Sequence, residues 1–319
     1  MHRMTAEGDP HPHPISHARA YAVLALGVFA IGWSALFVRW TTMPGATSAF
    51  WRLAIAQLVF VPWAFASRTN GSARPSRPAI QAAVAAGVFF AADLALFNTA
   101  VMIGSAANAT LLGTNAPIFV ALGAWLLYRE VPTRRFWLGF GLSFFGMVAI
   151  VGADVARHPR LGVGDALALG AGACYAGYLL NVRRSRREVD ALTFSAVSGV
   201  TAALALLVIC LVMRVPLRGF PVTGWWAVVG LALVTQVVGH LSVAYSLGRL
   251  PVSVTSVALL GQAPITALLA VPLLGEHLSA LQLGGGALVL LGIYVVNRTP
   301  TPPSLSGGPL GHDSAGGVQ

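Results

Sequence analysis

The stretch from Asn108 to Gly152 recurs almost residue for residue from Thr255 to Asn297, and this duplication limits the possible folds more than any other feature. Ala116-Pro117-Ile118 opens the core of the first copy, Leu126-Leu127 and Glu130 close it, and Thr133, Gly139 and Gly146 follow. The second copy runs Ala263-Pro264-Ile265, Leu273-Leu274, Glu276, Ser279, Gly285 and Gly292, with one residue fewer between proline and glutamate. Similarity over such a length predicts a fold assembled from two like units.

No charged residue lies between Ala106 and Leu127 or between Val252 and Gly275. Each run exceeds the roughly 20 apolar residues that cross a hydrocarbon core of about 30 Å. A short polar break and a second apolar run follow in each copy, so each copy reads as a pair of membrane helices. Thr133 and Ser279 stand three residues after the glutamates, where a hydroxyl can cap the next helix. Composition extends this class to the whole chain: hydrophobic residues make up 56% and charged residues 9%, against about 25% charged in a soluble domain.

The net charge of +10 comes from arginine alone, with no lysine. On a soluble protein this would raise nucleic-acid binding. Here the arginines fall mostly in loops between apolar runs and serve first as topology signals. Cys174 and Cys210 lie inside apolar runs and read as small core residues. No metal-ligand spacing and no Walker motif is present, so no metal or cofactor is implied.

Ten spans are predicted, at about 20–40, 46–67, 79–102, 105–128, 134–152, 163–182, 191–213, 223–246, 252–275 and 280–297. Residues 1–19 and 298–319, rich in Pro, Gly, His and Ser, read as disordered tails. His11, His13 and His17 between prolines are read as incidental rather than as a metal site. With the N-terminus inside, 14 arginines fall on cytoplasmic segments and five outside, with Arg52 within the second span, which predicts cytoplasmic termini. Five spans per half, 20–152 and 163–297, force the second half in from the opposite side. The fold class is therefore an all-α membrane protein of ten transmembrane helices, arranged as two inverted five-helix repeats with a central site between them.

The paired Ala-Pro-Ile to Leu-Leu-x-Glu blocks (Leu-Leu-x-x-Glu in the first copy), their following glycines, Trp33 with Arg39 and Arg52, and Gly164-Asp165 together resemble the EamA branch of the drug/metabolite transporter superfamily. The resemblance covers essentially Ala20 to Asn297. It implies ten helices, cytoplasmic termini and carriage of small metabolites, often export of amino acids or related compounds.

Ionisable groups inside a membrane are costly, about 2.5–3.5 kcal/mol on insertion scales, and each calls for a reason. Asp93 in the third span and His240 in the eighth each lie 24 residues before their proline, Pro117 or Pro264, so the duplication places them equivalently. They are read either as structural polar contacts or as groups handling substrate or protons. Their expected depths differ by roughly 5–10 Å at 1.5 Å rise per residue, which suits successive positions along a path. For Arg52 the simpler expectation is a side chain that snorkels to the interface, with an anion clamp as the competing role. Arg39 is read as an interfacial anchor.

Asn108 and Asn115 share one helix face, as do Thr255 and Gln262. Pro117 and Pro264 break the helix locally, and the neighbouring amides can satisfy freed carbonyls, bind substrate or join helices. Trp33 and Tyr175 align between the halves and can line the cavity or simply pack. Gly139, Gly146, Gly285 and Gly292 read as close helix packing.

The leading expectation is a secondary transporter of the bacterial inner membrane, an exporter rather than an enzyme. The alternatives are an intramembrane enzyme using Asp93 and His240, or a passive channel. The implied partners are a small-molecule substrate, the lipid bilayer, protons as a candidate coupling ion and a second copy of the chain in a homodimer.

Overall fold

A computed structural model describes residues 14–67, 75–103, 112–113, 115–157, 162–274 and 279–298. Among these residues every regular element is a helix, as hydrocarbon requires of a backbone that must satisfy its own polar groups. The first half holds α1 (Pro14–Gly32), α2 (Ser34–Trp40), α3 (Gly45–Ala66), α4 (Arg77–Ile103), α5 (Ala116–Tyr128) and α6 (Arg134–Arg157). The second holds α7 (Val163–Ser185), α8 (Ala191–Val212), α9 (Val222–Gly230), a π-helical segment (Leu231–His240), α10 (Leu241–Leu247), α11 (Val252–Ala258), a 3₁₀ turn (Leu259–Gly261), α12 (Gln262–Leu274) and α13 (Ala280–Asn297). Eight helical spans among the described residues are long and apolar enough to cross a membrane.

Helix α1 begins at Pro14. Proline is tolerated in a first helical turn because its missing amide hydrogen has no partner there. Helix starts elsewhere follow local chemistry. The Thr133 hydroxyl accepts from the Phe136 amide at 3.2 Å, Ser279 accepts from Gln282 at 3.2 Å, and Asp190 accepts from both Leu192 and Thr193 at 2.9 Å.

Among the described residues three of the expected spans are visibly interrupted. The first turns at Trp33, between α1 and α2. The eighth is wound as a π-helix through its middle ten residues. The ninth tightens to a 3₁₀ turn just before Gln262 and Pro264. In the fourth, Pro117 is the second residue of α5, whose N-cap position is Asn115.

Close approach between backbones holds the bundle together. A Cβ on Gly139 would lie 2.5 Å from the carbonyl of Gly292, and one on Gly146 would lie 2.5 Å from that of Gly285. Helices α6 and α13 thus cross antiparallel on four glycines, with Ser143 donating to the Val289 carbonyl at 3.2 Å. Helix α4 packs on α7 and α8, while α1 packs on the π-helical segment and α10. Helix α3 lies against α8 and against the π-helical segment. A second junction joins the interruptions themselves: Gly32 abuts Ile265 and the Gln262 carbonyl, and the Thr266 hydroxyl reaches the Gly32 carbonyl at 2.6 Å.

Candidate functional site

Arg52 organises the polar interior. It lies on α3, is 6% exposed, and does not snorkel to the interface. The snorkelling expectation fails because a partner comes from across the bundle: Nε and Nη2 donate to Oε1 of Gln236 at 3.1 and 2.9 Å. A guanidinium can only donate, so it fixes the amide with its oxygen inward. The Gln236 NH2 is thereby turned away from Arg52, leaving it and Nη1 of Arg52 as donors not used in this pair.

An amide supplies acceptors but no charge. The acidic side chain within electrostatic reach of Arg52 is Asp93 on α4. Among the described residues Asp93 makes neither a hydrogen bond nor a direct ion pair, so it and Arg52 influence each other only across a separation. Asp93 also keeps accessible surface, whereas Phe90 and Ala91 beside it are buried.

Aromatic rings wall this pair. The guanidinium lies 6.0 Å from the Phe90 ring centre. Phe90 stacks on Tyr178 at 4.8 Å, and Tyr178 stacks on Tyr175 at 5.7 Å. The His240 ring stands 5.0 Å from Phe90 and 6.3 Å from Tyr178. These rings exclude water, so each polar contact acts at lower dielectric and is stronger than it would be in solution.

Unspent polar capacity gathers on the same elements. His240 Nδ1, the Thr235 hydroxyl and both amide atoms of Gln57 are buried with no hydrogen-bond partner. Gln57 lies one turn and a half along α3 from Arg52, against Gly199, where a Cβ would come within 2.0 Å of its amide nitrogen. Buried polar atoms without partners are rare in native proteins and each asks for an explanation. Thr235, Gln236 and His240 all belong to the π-helical segment, a winding often found at functional sites.

The predicted residues therefore divide. Arg52, Asp93, His240 and Tyr175 come together around one guanidinium. Asp93 and His240 both lie within electrostatic reach of Arg52, although their sequence positions predict different depths. Thr255 is fully buried and spends its hydroxyl on the Pro251 carbonyl at 3.1 Å. Asn115 donates to the Leu112 carbonyl at 3.2 Å ahead of Pro117. Gln262 sits at the interruption with its carbonyl toward Gly32, Pro264 lies against Gly286, and Trp33 turns the first span and meets Phe37 at 6.0 Å. Asn108 lies outside the described residues, as does Glu276.

Gln236 and Tyr178 were missed by sequence reasoning. A spacing of four from His240 is the one signal that singles out Gln236, while Tyr178 carries no mark beyond its distance of three from Tyr175. A groove of about 320 Å³ between α3 and α8, lined by Val61, Phe65, Ala196 and Val200 among others, is apolar and shares no residue with this cluster.

The arrangement can bind a carboxylate through Arg52 and the Gln236 amide, accept an ammonium group on Asp93 and stack a flat group on its rings. Known proteins resemble the chain over most of its length. The model of the EamA-like transporter family matches residues 18–152 and again 162–298. The uncharacterized transporter sll1319 of Synechocystis is 28% identical over 72% of this chain and 70% of its own. The uncharacterized transporter YyaM of Bacillus subtilis is 22% identical over 79% and 84%. A crystal structure at 20% identity superposes with a TM-score of 0.74 over 88% of this chain and 96% of the other, a likeness of fold.

Proposed function

The chain belongs to the EamA-like transporter family of membrane proteins, and from that premise we propose that it is a secondary transporter exporting a small metabolite, an amino acid or related compound, across the bacterial inner membrane. The observation that carries this reading is the composition of the Arg52 cluster. Arg52 and Asp93 come from the first half of the chain, and Tyr175, Gln236 and His240 from the second. A site shared by two halves changes its access when one half rocks against the other.

Packing supports the inverted-repeat reading, with ten spans. The third span packs on the sixth and seventh, and the eighth on the first and second. The fourth packs on the sixth and the ninth on the first, while the second pairs with the seventh and the fifth with the tenth. This pattern is unchanged when each span is exchanged for its counterpart five places away. The glycine crossing behaves likewise, since Gly139 opposite Gly292 and Gly146 opposite Gly285 are one contact stated twice.

Within such a carrier, Arg52 and Gln236 hold the substrate's carboxylate. Asp93 balances the charge and, with His240, offers places for protons that couple transport to a gradient. The enzyme reading needs Asp93 and His240 on one reacting atom, and among the described residues no contact joins them.

Purified protein in liposomes preloaded with candidate amino acids tests the proposal. A matching internal substrate should accelerate uptake of labelled external substrate, and Arg52→Gln should abolish this. Flux insensitive to internal substrate would indicate a channel, and no flux of any carboxylate-bearing metabolite would remove the proposed substrate class.

A further inference from the structure

Outside the central cluster, a dense group of charges among the described residues surrounds Tyr128, where α5 and α7 end together. The Tyr128 hydroxyl donates to the Leu180 carbonyl at 2.8 Å, which ties the ring to α7. The guanidinium of Arg183 lies 5.4 Å from the ring centre and that of Arg187 lies 5.1 Å from it. Arg184 is also within electrostatic reach of Tyr128, and Arg129 follows the ring in a left-handed turn.

Nearby carboxylates do not neutralise this group. Glu130 pairs with Arg183, Glu188 accepts from the Ser76 amide, and Asp190 caps α8. Arg129, Arg184 and Arg187 are exposed and, among the described residues, have no carboxylate partner. The surface just before them is apolar: Trp125, Leu126 and Leu127 are 51%, 66% and 65% exposed in the last turn of α5. A cationic rim directly above an exposed apolar strip matches a molecule with an anionic head and a hydrocarbon tail.

We propose that the end of α5 and α7 is a binding site for an anionic glycerophospholipid. Its phosphodiester lies against Arg184, Arg187 and Arg129, and its acyl chains lie along Trp125, Leu126 and Leu127. Orienting the chain in the membrane requires only that these arginines be charged. It does not require two guanidinium groups to lie over one ring that is itself anchored to the neighbouring helix.

Thermal unfolding of the purified protein in neutral detergent tests the site, with short-chain phosphatidylglycerol, phosphatidylcholine or inorganic phosphate added. Phosphatidylglycerol should raise the midpoint saturably and less so at high salt, while the other two leave it in place. Arg184→Gln with Arg187→Gln should weaken the apparent affinity about thirtyfold. Arg184→Lys with Arg187→Lys, which keeps the charge and hence the insertion, should retain most of the shift. Arg214→Gln with Arg218→Gln, at the other end of the bundle, should retain all of it. Equal shifts from phosphatidylcholine would reduce the effect to hydrocarbon contact. Equal shifts from inorganic phosphate would reduce it to simple anion binding. An undiminished shift in the double glutamine variant would move it elsewhere, and any of these three results overturns the proposal.

Discussion

Two nitrogens of Arg52 share a single oxygen of Gln236, at 3.1 and 2.9 Å, across the junction between the halves. Leaving a buried charged donor without its acceptor costs about 1–3 kcal/mol or more. Gln236→Leu should therefore lower the unfolding midpoint and raise the KM for exchange. Gln236→Glu should restore the midpoint by giving the guanidinium a carboxylate, yet leave transport weak, because a second negative charge opposes an anionic substrate group. Wild-type exchange kinetics in Gln236→Leu would show that the amide plays no part in transport.

Asp93 attracts Arg52 without touching it, so its charge can be cancelled by a proton without dismantling a bonded pair. As a hypothesis, Asp93→Asn should abolish stimulation of transport by a pH gradient while substrate-for-substrate exchange continues. His240→Gln should shift the pH optimum with a smaller loss of rate. Full gradient-driven transport in the double variant, at normal protein levels, would leave both as structural contacts.

Glycines in the same pair of helices should respond in opposite ways. Gly146→Ala drives a methyl group to 2.5 Å from the Gly285 carbonyl and 2.8 Å from the Val289 nitrogen, both backbone atoms. Overpacking of this kind costs about 1–3 kcal/mol. Gly141 and Gly284 have nothing within 4 Å of their Cβ positions, so alanine there should be neutral or stabilise by up to about 1 kcal/mol. Melting curves of the three single variants decide the matter, and equal effects would disprove the crossing.

Asp190 caps α8 from outside the membrane span. Partial burial works against its carboxylate, but hydrogen bonds from Thr193 and Leu192 and the nearby Arg186 outweigh it and bring the pKa below the ordinary aspartate value. A folded-state pKa below the unfolded one contributes stability above the unfolded value, about 3.9, and loses it as pH falls through the folded one. Asp190→Ala should cost about 1 kcal/mol at neutral pH. That deficit should shrink in acid below the ordinary aspartate range, and a deficit constant down to acid pH would show that the charge is not involved.

The arginine distribution predicts a cytoplasmic reporter after Asn297 and an external one near Arg157. Labelling both from the same side would break the ten-span arrangement.

Much of this fold is legible in residue order because duplication, apolar length, hydroxyl caps and glycine spacing are local signals. Thr133, Ser279 and the four crossing glycines each act through near neighbours or a repeating interval. The Arg52 cluster is legible only in part. Asp93 and His240 stand out because charge is rare in a span, but an arginine seven residues into α3 has the same local sequence whether it snorkels or is buried. What decides is Gln236, 184 positions away and on a π-helical winding. Neither the winding nor the pairing leaves a periodic trace in an otherwise apolar run.

The crossing of α6 and α13 also bears on how this protein can change over time. Most packed interfaces tolerate drift, because growth on one side can be answered by shrinkage on the other. Gly139 meets Gly292 and Gly146 meets Gly285, and both members of each pair are already the smallest residue. No substitution in the partner can make room, so neither position has a rescuing neighbour. The two helices are thus locked together, free to change everywhere except where they touch.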